Sequence, residues 1–272
     1  MDMPDDFQSL KAMLEWQHDL GVTEAIGDAP INRYEVADNR YEGPDNRSEG
    51  AGAASAAPAS VAVAQPVARQ APVGDPAAVT RGLASAARDL AALKAAMAAF
   101  DGCDLKLGAR TLVFGDGNPG ARVMVLGEAP GREEDQQGLP FVGPAGQLLD
   151  RMFAAIGLAR SAADPAHAIY ITNILPWRPP QNRDPTPEEI AMFMPFVARH
   201  VALIVPKVLV LLGNTPCAGV LGQRGITRLR GQWAEAFGLP VLPMFHPAYL
   251  LRNPAAKREA WADLLALKAR LT

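Results

Sequence analysis

Five short apolar runs, at 112–114, 122–127, 168–173, 207–213 and 240–245, alternate with helical patterns at 145–157, 187–204, 214–222 and 255–271. Strands alternating with helices pair parallel through helical crossovers. Runs that are apolar at nearly every position are buried on both faces, so helices cover both sides of the sheet. The pattern predicts an α/β fold: three αβα layers around a mostly parallel sheet of about four to five strands. No internal repeat is visible in the sequence. In such a sheet the ligand site lies beyond the carboxyl ends of the strands. Two segments are so placed. Gly127-Glu128-Ala129-Pro130-Gly131 follows the run from Val123 to Leu126. His246-Pro247-Ala248-Tyr249-Leu250-Leu251-Arg252 follows the run from Val241 to Phe245. A glycine-rich turn lets backbone approach a ligand closely. A histidine beside a proline is a stiffly held donor for developing negative charge.

The net charge of −3 argues against a nucleic-acid partner but hides an asymmetry. Residues 1–100 hold 8 Lys/Arg against 14 Asp/Glu, whereas residues 101–272 hold 18 against 15. The part that carries both segments is therefore the basic part, as a DNA-binding face requires. Cys103 and Cys217 can build no disulfide framework and have no metal-ligand spacing. No apolar stretch reaches membrane-span length, and the acidic opening Met1-Asp2-Met3-Pro4-Asp5-Asp6 is unlike a secretory signal, so a cytoplasmic protein is expected. Residues 1–26 read as a short helical segment, with Leu10, Met13, Leu14, Trp16, Leu20 and Val22 at roughly helical spacing. Residues 27–80 read as a disordered linker, polar first and then Ala/Pro-rich. Residues 81–100 read as helical, and the globular domain as 82–272.

The stretch from Arg132 to Leu149 reads as a long loop with three acidic residues and three glycines. Such a loop is costly to order and usually serves a site. Taken with Gly127 to Gly131, it resembles the first active-site motif of the family 4 uracil-DNA glycosylases. The resemblance continues through Ile169-Tyr170-Ile171-Thr172-Asn173, Arg178-Pro179-Pro180-Gln181-Asn182-Arg183, Leu229-Arg230-Gly231 and His246 to Arg252. It covers about residues 97–270.

The resemblance implies a uracil pocket in which Gly127 and Ala129 form part of the wall and Phe141 stacks on the flipped base. It implies that Asn173 reads the O4 and N3–H edge, since an amide offers a donor and an acceptor together. His246 would donate to uracil O2. The acid usual in the superfamily's best-known branch falls at Ala129 here. Glu128 is therefore the expected catalytic carboxylate, with Glu134 and Asp135 as rivals. Gly131 replaces the tyrosine that blocks thymine in that branch. For DNA contact, Gly143 and Gly146 suit a phosphate at a helix N-terminus, and Leu250 would fill the hole left by the flipped base. Arg252, Lys257 and Arg258 would neutralise phosphates, with Arg178, Arg183, Arg228 and Arg230 as further candidates. His18, His167 and His200 read as structural.

The resemblance also implies a [4Fe–4S] cluster on four cysteines, but the corresponding residues here are Phe100, Cys103, Trp177 and Phe193. One thiolate cannot hold a cubane. No metal or other cofactor is expected, and the four side chains should pack as an apolar plug. The function implied is monofunctional hydrolysis of the uracil N-glycosidic bond by base flipping, leaving an abasic site. The partners implied are uracil-containing DNA and abasic product DNA. A monomer is expected, with no membrane, and a repair-protein partner through the N-terminal segment. The alternative is a module that binds uracil or abasic DNA with weak or no turnover. A nucleotide-binding enzyme is disfavoured, because the glycine-rich loop has neither a Walker lysine nor G-x-G-x-x-G spacing.

Overall fold

The computed structural model describes residues 76–271. The helical segment expected within 1–26 and the linker from 27 to 75 lie outside the described residues. Residues 76–80, expected as the linker's end, instead open helix α1 (Pro76–Ala86). Thr80 explains why: its buried hydroxyl donates to the Met192 carbonyl at 2.8 Å, which docks α1 on the domain. Helix α2 (Leu90–Ala99) follows, capped by Asp89, whose carboxylate accepts from the Ala92 N–H. The single helical stretch expected at 81–100 is thus two helices with a cap between them.

Six strands form one sheet in the order β1-β3-β2-β4-β6-β5. They are β1 (Asp116–Gly117), β2 (Val123–Gly127), β3 (Ile169–Asn173), β4 (Val208–Leu212), β5 (Ala234–Ala236) and β6 (Leu239–Met244). The four inner strands pair parallel, and the edges β1 and β5 pair antiparallel. The run at 112–114 does not enter the ladder. Val113 donates its N–H to the Pro176 carbonyl instead, and pairing starts at Asp116. Strand β5 was not expected; it has three residues, none fully buried, and leaves no apolar run to read.

Strand residues alternate between two cores, as period-two geometry requires. Met124, Leu126, Tyr170, Leu209 and Leu211 face one. Val123, Val125, Ile169, Ile171 and Val210 face the other. The first core is closed by α1, α2 and α6 (Pro187–Ile204), together with α7 (Asn214–Leu221). The second is closed by α5 (Pro144–Ala154) and α10 (Lys257–Leu271). Four shorter helices complete the described chain: α3 (Leu105–Gly108), α4 (Arg132–Gln137), α8 (Ile226–Leu229) and α9 (Pro247–Arg252). The three-layer αβα architecture follows. None of the described helices is long and apolar enough to cross a membrane.

From β2 the chain crosses to β3 on one side and then returns to β4 on the other. The carboxyl ends of β2 and β4 therefore flank a topological switch point, where open α/β sheets bind their ligands.

Candidate active site

A cleft of about 810 Å³ opens at this switch point. Its walls come from the ends of β2, β3, β4 and β6 and from the segments that follow them. Gly127 and Asn173 are register partners on β2 and β3. A Cβ at Gly127 would stand 2.4 Å from Asn173 Oδ1 and 2.5 Å from the Phe141 ring, so only glycine lets these groups converge. Asn173 is 5% exposed, and its Oδ1 has no hydrogen-bond partner within the protein. A buried acceptor left unpaired costs about 1–3 kcal/mol unless a ligand supplies the donor. Phe141 has φ 54°, in the left-handed region. That costs a bulky residue on the order of 1–3 kcal/mol, and strain of this kind collects at ligand sites.

His246 caps α9, and its Nδ1 accepts the Ala248 N–H at 3.1 Å. A neutral ring with Nδ1 so engaged carries its proton on Nε2. The Phe141 and His246 ring centroids are 5.5 Å apart. Burial pushes the His246 pKa down to about 4, Arg252 acts in the same direction, and Glu134 opposes them. The imidazole is therefore neutral at physiological pH and can donate without carrying charge.

Glu128 follows β2. Its Oε2 accepts the Thr215 hydroxyl at 2.6 Å, a bond that spans the switch point between the ends of β2 and β4. Burial raises the Glu128 pKa, Asp184 adds to the rise, and the Thr215 hydrogen bond and Arg224 oppose it. The two rival carboxylates are engaged elsewhere. Glu134 Oε1 accepts from the Val142 and Gly143 N–H groups, each at 3.0 Å, while its Oε2 accepts from Gly131 N–H at 3.1 Å. Asp135 Oδ1 accepts from the Arg110 and Thr111 N–H groups. Both hold backbone in place.

Several expected positions are corrected. The stretch after Gly131 is not one long loop, since α4 occupies its first third. Arg132–Gln137 is polar throughout and lacks an apolar stripe, so hydrophobic periodicity gave no signal. Gly143 lines the cleft, but its N–H is taken by Glu134 and is not free for a phosphate. Gly146 is buried beneath Phe141, where a Cβ would fall 1.8 Å from the Phe141 carbonyl oxygen. Leu250 is 1% exposed in the second core and cannot enter a DNA duplex; its neighbour Leu251 is 41% exposed. Arg230 is ion-paired with Asp263 in the protein. Arg183 lines the cleft but is bidentate on Glu189. Ala129 and Arg252 line the cleft as placed. Thr215, Arg132, Arg224 and Tyr249 line it too, and the sequence reading did not single them out. His200 is structural: it is buried, stacks on Phe114 and is 2.9 Å from the Tyr170 hydroxyl.

Away from the cleft, Phe100, Cys103, Trp177 and Phe193 are all buried in the first core. Phe193 meets Phe100 and Trp177 edge to face, with centroids 6.0 and 5.5 Å apart. These residues fit an apolar plug and do not fit a four-thiolate cluster. Among the described residues, no group of three or more His, Cys, Asp or Glu could hold a metal ion. Truncating Trp177 to Ala is expected to cost about 3–5 kcal/mol of stability, the range for large aromatic core truncations. Cys103→Ala removes only the Sγ and should cost well under half as much. Urea unfolding of both variants checks the order.

Residues 114–265 match the model of the uracil DNA glycosylase superfamily. A type-4 uracil-DNA glycosylase of Thermotoga maritima is 41% identical over 154 residues, covering 56% of this chain and 77% of the relative. One from Archaeoglobus fulgidus is 40% identical over 170 residues, covering 59% and 82%. A type-5 uracil-DNA glycosylase of Pyrobaculum aerophilum is 30% identical over 149 residues, covering 50% and 66%. The chain belongs to the uracil-DNA glycosylase superfamily.

Proposed function

We propose that this chain is a monofunctional uracil-DNA glycosylase of base excision repair. The observation that carries the reading is the orphaned Asn173 Oδ1, buried beside Phe141 and Gly127. Uracil N3–H supplies the donor it lacks, while the amide N–H meets O4. Cytosine has no proton at N3 and is refused. The deoxyuridine flips from the duplex at a cost of a few kcal/mol, and Phe141 stacks on its ring. The C1′–N1 bond breaks with its electron pair moving onto the base, and charge gathers at O2. His246 Nε2–H donates to that oxygen. Water held by the Glu128 carboxylate adds to C1′, and its released proton is balanced by protonation of the departing uracil. Arg252 and Arg224 neutralise flanking phosphates, with Leu251 rather than Leu250 as the apolar plug. The protein is read as a cytoplasmic monomer, with residues 1–26 available to a repair partner.

The competing reading, a uracil- or abasic-DNA binder without turnover, rests on Ala129 standing where the superfamily's usual acid would be. A single-turnover assay with alkali cleavage of a uracil oligonucleotide separates the two; an uncleaved strand overturns the glycosylase. Glu128 gives a second test. Its raised pKa means that the ionised form is lost at a higher pH than for an ordinary carboxylate, so the parent rate should fall on that acid limb. Glu128→Gln should slow chemistry by about 10²-fold or more, abolish the limb and leave uracil-DNA affinity within a few-fold. Equal loss of rate and affinity would make Glu128 structural.

A further inference from the structure

The left-handed Phe141 is bracketed on both sides. After it, the Val142 and Gly143 N–H groups are held by Glu134. Before and at it, one guanidinium takes two successive carbonyls: Arg160 Nη1 donates to Pro140 O at 2.9 Å, and Nη2 to Phe141 O at 2.8 Å. Arg160 is itself fixed. Its Nε donates to Asp150 Oδ1 at 2.8 Å on α5, and its Nη1 also reaches Asp116 Oδ2 at 3.0 Å on β1. Its side chain is only 15% exposed. Four hydrogen bonds thus join the sheet edge, a helix and the two residues that set the angle of the Phe141 ring.

We infer that Arg160 is a positioning residue for base recognition, acting through Phe141. The inference rests on Phe141 being the stacking wall for uracil. A planar fork fixes two adjacent carbonyls together, which a lysine cannot do. Without the fork, the strained Phe141 backbone relaxes, and each binding event must re-order the ring. That cost falls on the base and not on the DNA backbone, because ordering a loop subtracts from the affinity of the ligand that needs it ordered.

The test uses Arg160→Met and Arg160→Lys, with Phe141→Ala as reference, each kept well below its unfolding midpoint. Two affinities are measured: free uracil by ligand-observed NMR titration, and abasic-site duplex DNA by fluorescence anisotropy. Arg160→Met should weaken uracil binding about tenfold, consistent with partial loss of a base–aromatic stack. Its abasic-DNA affinity should stay within about twofold. Arg160→Lys, which keeps the charge but has a single donor nitrogen in place of the planar fork, should fall between, and it decides the matter if Arg160→Met does not fold. Phe141→Ala should lose at least as much uracil affinity as Arg160→Met. Parent-like uracil binding in both Arg160 variants, with weakened binding in Phe141→Ala, overturns the inference and leaves the stacking role standing. Parent-like uracil binding in Phe141→Ala overturns the stacking role and the inference with it. Equal loss of uracil and abasic-DNA affinity in the Arg160 variants also overturns it, because Arg160 would then support the fold as a whole.

Discussion

Replacing His246 with alanine should slow single-turnover uracil excision by about 10²–10³-fold, the usual cost of removing one donor aimed at a developing oxyanion. The expectation rests on the tautomer. The Ala248 N–H occupies Nδ1, so the proton sits on Nε2. Donation from a neutral ring also sets the pH behaviour. The folded-state pKa is depressed to about 4, so the ring stays neutral from pH 8 down to about 5, and its contribution to the rate is flat there. The unfolded chain takes up the proton first, near pH 6.5. Stability associated with the neutral ring is therefore complete above about pH 6.5 and is lost as pH falls toward 4. His200, pushed down to about 3 by burial, adds to the same acid loss. A His246→Ala rate within a few-fold of the parent would remove the residue from the chemistry.

The inner sheet was legible because its strands are apolar throughout, and runs such as Val208–Leu212 admit little besides a buried strand. The edges were not, because β1 and β5 are too short and too polar to leave a pattern. Helix α4 was invisible for a related reason. It buries Glu134 and Asp135 through hydrogen bonds with backbone, and no apolar face announces it.

The residues that line or support the cleft divide along the same line. Gly127, Glu128, Asn173 and His246 end strands or begin the next segment, so the strand pattern placed them. Thr215 and Arg160 meet their partners only through the fold: Thr215 lies 87 positions from Glu128, and Arg160 lies 19 from Phe141. Sequence spacing carries no trace of such pairs. Leu250 shows a finer limit. Two adjacent leucines on a one-and-a-half-turn helix differ by about 100° in direction. Only the docking of α9 on α5 decides that Leu250 faces the core and Leu251 faces outward.

Asn173→Asp should have the largest effect of any single change, a loss of uracil excision on the order of 10³-fold. The parent amide presents an acceptor to N3–H and a donor to O4. The aspartate presents two oxygens, so one bond survives while the other becomes a contact between acceptors. That outcome is worse than deletion, because a buried polar group is left facing its like. The substitution also erodes the preference. Only the fraction of the carboxyl that takes up a proton offers cytosine a donor for N3 and an acceptor for its N4 amino group. Cytosine excision, at background in the parent, should rise above it in the variant. Paired single-turnover assays on uracil and cytosine oligonucleotides measure both. Uracil excision at the parent rate would mean that Asn173 does not read the base edge, and the orphaned Oδ1 would then need another donor.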